Sequence, residues 1–394
     1  GWYVDDVAIT TAGGCQVTGT PTAPIATATA TATQCGTGPS WSVGPTYTPG
    51  VYVVQGGVNP SNGDFYVAGG QDATNIPYAN VNRFNPATNT FSPLAPLPVA
   101  VGQAAVGVTG TKMYVAGGYA STGAVTSTLQ IYDVASNAWS FGASMPAAVE
   151  AGAGVIHNNK FYVIGGDDFT NVVSSNYVYD IAAGTWSTGA SLPAGRSNLN
   201  GTAVGNYIYV VGGVIGAGFE ADDALLRYDP AANTWTTLTP MGVAGYGNYA
   251  GVSPYEGGSK LFVLAGGDTG FQPIDRTRIY DIATDTWSEG PQELEPRMAH
   301  AQGTLLDGRI IVVAGYSGSS AYETSNILLP GTACVTPSPV PPSRHASRRP
   351  QRSSVNGCTI RRGVRSRCGC AVMVLPSSRT KPMSLTTSAQ FQPW

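Results

Sequence analysis

One unit recurs along this chain, and the recurrence constrains the fold more than any other feature of the sequence. Its most complete copy runs from Lys112 to Trp139: an apolar segment ends in a glycine pair, an alternating segment ends in Tyr-Asp, and a tryptophan follows six residues later. The glycine pair recurs at spacings of 47 to 54 residues, and in the sixth copy Ala replaces the first Gly. Self-similarity at such a period is typical of propellers and solenoids. The pairs are Gly69-Gly70, Gly117-Gly118, Gly165-Gly166, Gly212-Gly213, Gly266-Gly267 and Ala314-Gly315.

An aromatic residue recurs with the same period, but it is out of phase with the glycine pairs. Trp41 precedes the first glycine pair, and the last unit, after Gly315, has no aromatic at the matching place. The two sets therefore contain six members each but are offset by one unit. The aromatic positions are Trp41, Phe91, Trp139, Trp186, Trp235 and Trp287.

This pattern resembles the kelch repeat over roughly Cys35 to Cys334. In kelch proteins each repeat is a four-stranded antiparallel blade, with the glycine pair ending the second strand, Tyr-Asp on the third and Trp on the fourth. The resemblance implies an all-β, six-bladed kelch β-propeller of five complete blades and one shared blade. The first unit departs from the pattern, because Arg83-Phe84 replaces Tyr-Asp. The matching pairs are Tyr132-Asp133, Tyr179-Asp180, Tyr228-Asp229 and Tyr280-Asp281.

The composition agrees with many short strands and sets limits on the function. Glycine accounts for 51 of 394 residues, and only 11% of residues are charged. Such a chain suits strands joined by Gly-rich turns. No apolar run approaches the roughly 18 residues of a membrane span, so we expect none. The chain begins with Gly1 rather than Met, and we expect a fragment whose targeting segment lay upstream.

The sequence divides into four segments. Residues 1–14 resemble the terminal strand of jelly-roll domains in bacterial secreted proteins, and residues 15–34 form a Thr/Ala/Pro linker. Residues 35–334 form the predicted propeller. Residues 335–394 contain half of the 20 Lys and Arg residues and none of the 23 Asp and Glu, which predicts a disordered basic tail. A shifted reading frame, a linker and an arm that binds anions remain alternative interpretations of the tail.

Both chain ends are predicted to build the last blade. Trp41 and its strand, Ser40 to Val43, supply the outer strand that follows Leu329. Aligning the repeats places Cys35 and Cys334 in the same interrupted turn, so we predict a disulfide between them, with two free thiols as the alternative. This disulfide would indicate an oxidising compartment, and we expect an extracellular or cell-surface protein of the bacterial secreted type.

The alternation of strand direction predicts where binding takes place. The loops from second to third strands and the connections from blade to blade share one face and include the longer insertions, and we call this the long-loop face. Its aromatics could contact a partner or simply cover the seams between blades. Arg196, Arg297 and His300 lie near the predicted channel mouth. The alternative is that the two arginines hold neighbouring blades together by bonding backbone carbonyls, with His300 packed beside them. The predicted ligand-binding residues are Tyr119, Asp168, Phe169, Arg196, Phe219, Tyr246, Phe271, Arg297, His300 and Tyr316.

No catalytic, metal or cofactor site is predicted. The only histidines, His157, His300 and His345, are too scattered for zinc or copper. Some secreted kelch-like propellers resemble copper radical oxidases of sugars, but no cysteine lies between Cys35 and Cys334, so that activity is not transferred. We predict a monomeric, non-catalytic module that binds a protein partner, does not bind nucleic acid and has no membrane span. A glycan-binding propeller, or an accessory domain of a larger secreted enzyme, is the alternative.

Overall fold

The structure, a computed structural model, describes residues 39–216, 220–243, 251–264, 266–267 and 272–329. Within these ranges the regular elements are β-strands and one short 3₁₀ turn, Glu256–Gly258. The second strands, such as Lys160–Ile164, are buried on both faces because blades stack on either side of them. The predicted all-β class is confirmed.

Six four-stranded antiparallel sheets surround a central channel, and we number them blades 1 to 6 in chain order. Within each blade the strands are called inner, second, third and outer, counted from the channel. Blades 1 to 3 consist, in that order, of Gln55–Val58, Phe65–Ala68, Val81–Asn85 and Thr90–Pro93; Ala105–Val108, Lys112–Ala116, Leu129–Asp133 and Ala138–Phe141; and Ala153–His157, Lys160–Ile164, Asn176–Asp180 and Thr185–Thr188.

The remaining three blades repeat this arrangement, and blade 6 takes its outer strand from the start of the described chain. Blades 4 to 6 consist of Asn200–Val204, Tyr207–Val211, Leu225–Asp229 and Thr234–Leu238; Gly251–Tyr255, Lys260–Leu264, Thr277–Asp281 and Thr286–Glu289; and Ala301–Thr304, Ile310–Val313, Ser325–Leu329 and Ser40–Val43. Two small sheets on the long-loop face supplement them: Val101–Gly102 with Tyr119–Ala120, and Arg196–Ser197 with Val214–Ile215 and Glu220–Ala221.

Ring closure by the N-terminal strand is confirmed. Ser40–Val43 pairs antiparallel with Ser325–Leu329, with Ser40 opposite Leu329. The Trp41 ring packs edge-on against Phe262 of blade 5 at a centroid distance of 5.8 Å. Trp41 thus covers the seam between blades 5 and 6, as the aromatic residues of the complete repeats do at their own seams.

The inner strands contact their neighbours in a closed ring. Small residues make this possible, because a Cβ on Gly154 would lie only 2.5 Å from the backbone N and O of Val106 in the adjacent blade. All six inner strands line a channel cavity of about 240 Å³. The six-bladed propeller predicted from the repeats is therefore present.

Each tryptophan of the repeat holds two blades together. The Trp139 indole N–H donates to the carbonyl of Ala95 in the connection leaving blade 1, at 2.8 Å. Asn137 then accepts the Ala95 N–H at 2.9 Å, so both polar groups of that residue are bonded to blade 2. The same pair of hydrogen bonds stabilises two further seams. Asn233 and Trp235 bond the backbone N–H and carbonyl of Ala190, and Asp285 and Trp287 bond those of Thr239.

The structure shifts one repeat of the sequence alignment by a residue. The Gly266 carbonyl accepts the Ile274 N–H, just as the second glycine of blade 1, Gly70, accepts the N–H of Tyr78. Gly266 is therefore the second residue of its pair, and Gly267 follows the pair. Blade 5 thus resembles blade 6, whose pair is Ala314-Gly315.

Several predictions concern parts of the chain outside the described residues. These are the remnant strand of residues 1–14, the linker of 15–34, the tail of 335–394, and the Cys35 to Cys334 disulfide. They stay predictions. No helix in the described ranges combines the length and apolar character that crossing a membrane requires.

Candidate functional site

At the long-loop end of the channel, a ring of residues adopts the left-handed conformation. Two residues before their inner strands, Val53, Gln103, Ala151, Asn198 and Ala299 have φ between 48° and 59°. The N–H of Gln103, Ala151 and Asn198 each donates to the carbonyl of the ring residue one blade earlier, at 2.8 to 3.0 Å. A branched side chain such as that of Val53 rarely occupies this region of φ. The mouth is therefore a fixed, hydrogen-bonded rim.

The loops of the long-loop face are anchored to this rim by short backbone bridges. Glu150, next to the rim residue Ala151, exchanges two 2.9 Å backbone hydrogen bonds with Asp167, which follows the glycine pair of blade 3. Tyr52 bridges Gln71 and Met298 bridges Tyr316 in the same way. Each loop thus begins from a rigid base, as a surface that binds by loops requires.

The structure brings Tyr119, Phe169 and Asp168 together at the seam between blades 2 and 3. The Tyr119 and Phe169 rings stack at a centroid distance of 5.9 Å and an interplanar angle of 19°. Phe169 is 71% exposed, although its backbone N–H is held by the Asp167 carboxylate at 3.1 Å. The exposed Asp168 accepts the N–H groups of Thr170 and Asn171, which holds the pKa of its carboxyl below the usual range.

Tyr316 lies apart from that pair and contacts Tyr52, at a centroid distance of 5.1 Å across the seam between blades 6 and 1. The Tyr52 hydroxyl in turn donates to Asn75, which also accepts the Gln71 amide at 3.0 Å. These rings are half-buried and tied into loop hydrogen bonds. Their position fits the cover of a seam, which was the alternative raised from sequence.

The structure uses Arg196 and Arg297 inside the protein. Arg196 donates to the Gly212 carbonyl at 2.9 Å and pairs with Asp222 at 2.6 Å. Arg297 donates to the equivalent carbonyl, that of Ala314, at 2.7 Å. Their relative exposures are 5% and 0%, so a ligand on the long-loop face does not reach Arg297. Both side chains thus fit the alternative, in which they hold neighbouring blades together, and we leave them out of the proposed contact surface.

Arg297 is neutralised by carboxylates of its own connection. Its guanidinium lies 2.7 Å from Glu293 and 2.7 Å from Glu295, and it stacks over the Tyr322 ring at 4.9 Å. Burial raises the pKa of Glu293 to about 7, and the Arg297 charge opposes this rise. The seam between blades 5 and 6 therefore contains a complete set of cation, carboxylates and ring.

His300, also predicted as a ligand contact, is only 2% exposed. Its Nε2 faces the Gln302 side-chain oxygen at 3.4 Å. Burial, followed by the neighbouring Arg297 charge, lowers the pKa of His300 to about 3, so the imidazole is neutral at physiological pH. We leave His300 out of the contact surface as well, because a packed neutral ring does not attract an acidic ligand.

A pair of buried carboxyls beneath the Phe169 loop was not predicted from sequence. Glu150 and Asp167 are 5% and 8% exposed. Burial and the proximity of Asp167 raise the pKa of Glu150 to about 8, and burial also raises that of Asp167. The repeat alignment did contain a signal, because the described equivalents of this pair are uncharged. Those equivalents are Tyr52 and Gln71, Gly102 and Tyr119, Ser197 and Val214, and Met298 and Tyr316.

The described part of the long-loop face has a strong excess of acidic residues. Its loops and connections contain eleven Asp and Glu residues, three Arg and no Lys. Two of the three arginines are the buried Arg196 and Arg297, which leaves Arg276 as the exposed one. The acidic residues are Asp72, Glu150, Asp167, Asp168, Glu220, Asp222, Asp223, Asp275, Glu293, Glu295 and Glu323.

Three predicted contact residues, Phe219, Tyr246 and Phe271, lie outside the described residues, and their role stays a prediction. Within the described ranges, no three His, Cys, Asp or Glu residues are grouped in a way that could hold a metal ion.

Comparison with known proteins agrees with the blade geometry. Residues 40–213 match the KLHDC2/KLHL20/DRC7 Kelch-repeats domain, and residues 195–242 match the Kelch motif. Kelch-like protein 15 from Danio rerio is 28% identical over 113 residues, which cover 29% of this chain and 18% of that protein. The chain thus matches less than a fifth of that relative's length. From the repeated blades, the seam tryptophans and these matches, the chain belongs to the kelch-repeat family.

Proposed function

We propose that this propeller is a non-catalytic module that binds a protein partner through its long-loop face. Kelch repeats indicate a protein-interaction module, and kelch domains are generally binding modules rather than enzymes. The observation that supports the choice of face is the stack of Tyr119 on Phe169, where a 71% exposed ring stands on a hydrogen-bonded base. Rigid exposed aromatics are frequent anchors of protein interfaces.

Site-specific crosslinking tests which face is used. A photoreactive amino acid would replace Thr170 beside Phe169, and in a second protein Leu306, which is 64% exposed in the first hairpin of blade 6 on the opposite face. We expect crosslinks to a partner from position 170 only. Crosslinks from position 306 alone would contradict the proposed face.

A glycan ligand is the second candidate, and it rests on the same exposed ring, because sugars stack on aromatic faces. A glycan array separates the candidates. Selective glycan signal that disappears in a Phe169→Asn variant would favour the lectin-like function, whereas silence on the array together with protein crosslinks would favour the protein partner.

We also propose that the module works outside the cytoplasm, as part of a larger secreted protein of bacterial type. The support is the Thr/Ala/Pro segment and the predicted Cys35 to Cys334 disulfide. Mass spectrometry of the protein purified from its source without reduction tests this proposal. Two free thiols at these positions would count against an oxidising compartment.

A further inference from the structure

The seam between blades 5 and 6 shows how this fold accommodates a positive charge on the long-loop face. Arg297 lies over the Tyr322 ring at 4.9 Å and contacts Glu293 and Glu295, both at 2.7 Å. Ring and carboxylates together compensate the desolvation of the guanidinium. A cation, an aromatic face and two acidic groups therefore form one packed unit.

The seam between blades 2 and 3 also contains aromatic rings and carboxyls, at repeat positions other than those of Tyr322, Glu293 and Glu295, and none of its described residues supplies a cation to them. The repeat position of Arg297 is occupied by Val149, which directly precedes Glu150. Glu150 and Asp167 lie beneath the loop, and Asp168 and the exposed Phe169 ring lie above. In the described part of this seam no Lys or Arg faces the group.

Charge on the rest of the described face acts in the same direction. Outside this seam the described face has eight Asp and Glu residues and three Arg, and Arg196 and Arg297 are already paired with Asp222, Glu293 and Glu295, which leaves five acidic residues and Arg276. Such a field raises the local concentration of cationic segments and speeds their association. A partner with acidic contact groups would meet repulsion there.

We propose that the partner presents a basic segment, and that one of its Lys or Arg side chains binds at this seam, against the Tyr119 and Phe169 rings and beside Asp168. The proposal rests on the proposed function and specifies the chemistry of the partner. The partner's cation would lie beside aromatic rings and carboxyls, as Arg297 does at blades 5 and 6.

Because of the buried carboxyl pair, the affinity for a cation should depend on pH. Without a nearby cation, Glu150 and Asp167 hold a proton between them, since two adjacent buried carboxylates repel each other. The groups that face the pair are the charged Asp168 and the polar Gln103 and Ser197. A bound cation favours ionisation of both carboxyls, so binding releases a proton and strengthens as pH rises from 7 towards 9. Glu150→Gln is expected to remove this pH dependence.

Two substitutions have matched controls in the chain. Asp168→Asn removes a charge and keeps the turn, because Asn also accepts the two loop N–H groups. Asp180→Asn does the same at a turn of blade 3 on the opposite face, where Asp180 accepts the N–H groups of Ala182 and Ala183. Phe169→Asn removes the ring at a residue with φ of 74°, which Asn tolerates. Leu306→Asn removes an exposed apolar group on the other face.

A random peptide library selected on the full chain provides the probe. We expect enriched peptides to contain Lys or Arg and to bind more weakly as salt increases. Their affinity should fall about tenfold with Phe169→Asn and several-fold with Asp168→Asn, in the range of cation–π and ion-pair energies. Asp180→Asn and Leu306→Asn should bind as the original protein does.

The outcomes separate this inference from the proposed function. Two results would contradict a basic partner and still support the long-loop face as the binding surface. The peptides that bind this face could be enriched in Asp and Glu, or their affinity could be unchanged by Phe169→Asn and Asp168→Asn. A library without any peptide that crosslinks to position 170 would contradict the proposed function and this inference together.

Discussion

Gly184 shows how one residue changes the hydrogen bonding at a seam between blades. At the other seams described above, an Asn or Asp in the hairpin from third to outer strand bonds the preceding blade, whereas blade 3 has Gly184 with φ of 69°. A Cβ there would lie 3.6 Å from the Tyr179 hydroxyl, in ordinary contact. Asn tolerates this φ, so it can supply the missing acceptor.

We therefore predict that Gly184→Asn raises the free energy of unfolding by about 0.5–1.5 kcal/mol, through a new hydrogen bond and a less flexible unfolded chain. Denaturant unfolding measures the change. Gly205→Asn is the control, since Gly205 has φ of 58° and nothing within 4 Å of its added Cβ. Equal gains from both substitutions would show that no seam bond forms.

The carboxyl of Glu150 should make stability depend on pH. Its pKa is about 8 in the folded chain, above the ordinary value of 4.5. Between these values the unfolded chain loses this proton and the folded chain keeps it, so stability falls as pH rises from about 5 to 8. Glu150→Gln should flatten that slope and raise the melting temperature at pH 8. An unaltered slope in Glu150→Gln would refute the assignment.

Sequence alone could not predict these residue-level features. The acidic character of Glu150 and Asp167 was visible, but their pairing depends on which connection bridges which loop. The role of Arg297 likewise depends on its contacts with the Glu293 and Glu295 carboxylates. Sequence alone does not distinguish an exposed Arg near the channel from a buried one.

At the scale of the elements, sequence was a better guide. The glycine pairs, the Tyr-Asp pairs and the repeated aromatics are local patterns, so they predicted the strands and the outer strand that Ser40–Val43 supplies to blade 6. The glycine pair of blade 5 was assigned one residue too late, because the sequence Ala265-Gly266-Gly267 offers two candidate pairs. Only the hydrogen bond from the Ile274 N–H to the Gly266 carbonyl distinguishes them.

The closing strand should be separable from the rest of the chain. Without residues up to Val43, the edge of Ser325–Leu329 would lose its partner, and Leu328, now 1% exposed, would face water. We predict that a chain starting at Gly44 melts at a lower temperature and aggregates, and that a peptide spanning residues 36–46 restores much of the loss. A scrambled peptide is the control. Equal melting of the truncated and full chains would show that closure contributes little.

The same strand keeps the disulfide prediction testable. In the described strands Ser40 lies opposite Leu329 and Trp41 opposite Leu328, and the repeat alignment predicts that Cys35 and Cys334 belong to one interrupted turn. We predict a crosslinked peptide pair in a non-reducing digest, and a loss of roughly 2–5 kcal/mol in unfolding free energy after reduction. Cys15 paired with either residue would contradict the register.

On the scale of the whole molecule, closure should make unfolding cooperative. Seam tryptophans such as Trp139 and Trp235 bond across neighbouring blades, so their fluorescence reports on seams, while far-ultraviolet circular dichroism reports on strands. We predict that both signals change in one coincident transition. A fluorescence change at lower denaturant would show that blades separate before they unfold, as open repeat arrays can.

Chain direction at blade 6 places the two ends of the described propeller on one face. The described chain enters at Ser40 and leaves at Leu329, side by side on the face opposite the long loops. Both strand ends therefore lie on the face opposite the acidic, aromatic long-loop face. A fusion partner at either end should leave binding unimpaired, whereas immobilising the protein through the loops should abolish it.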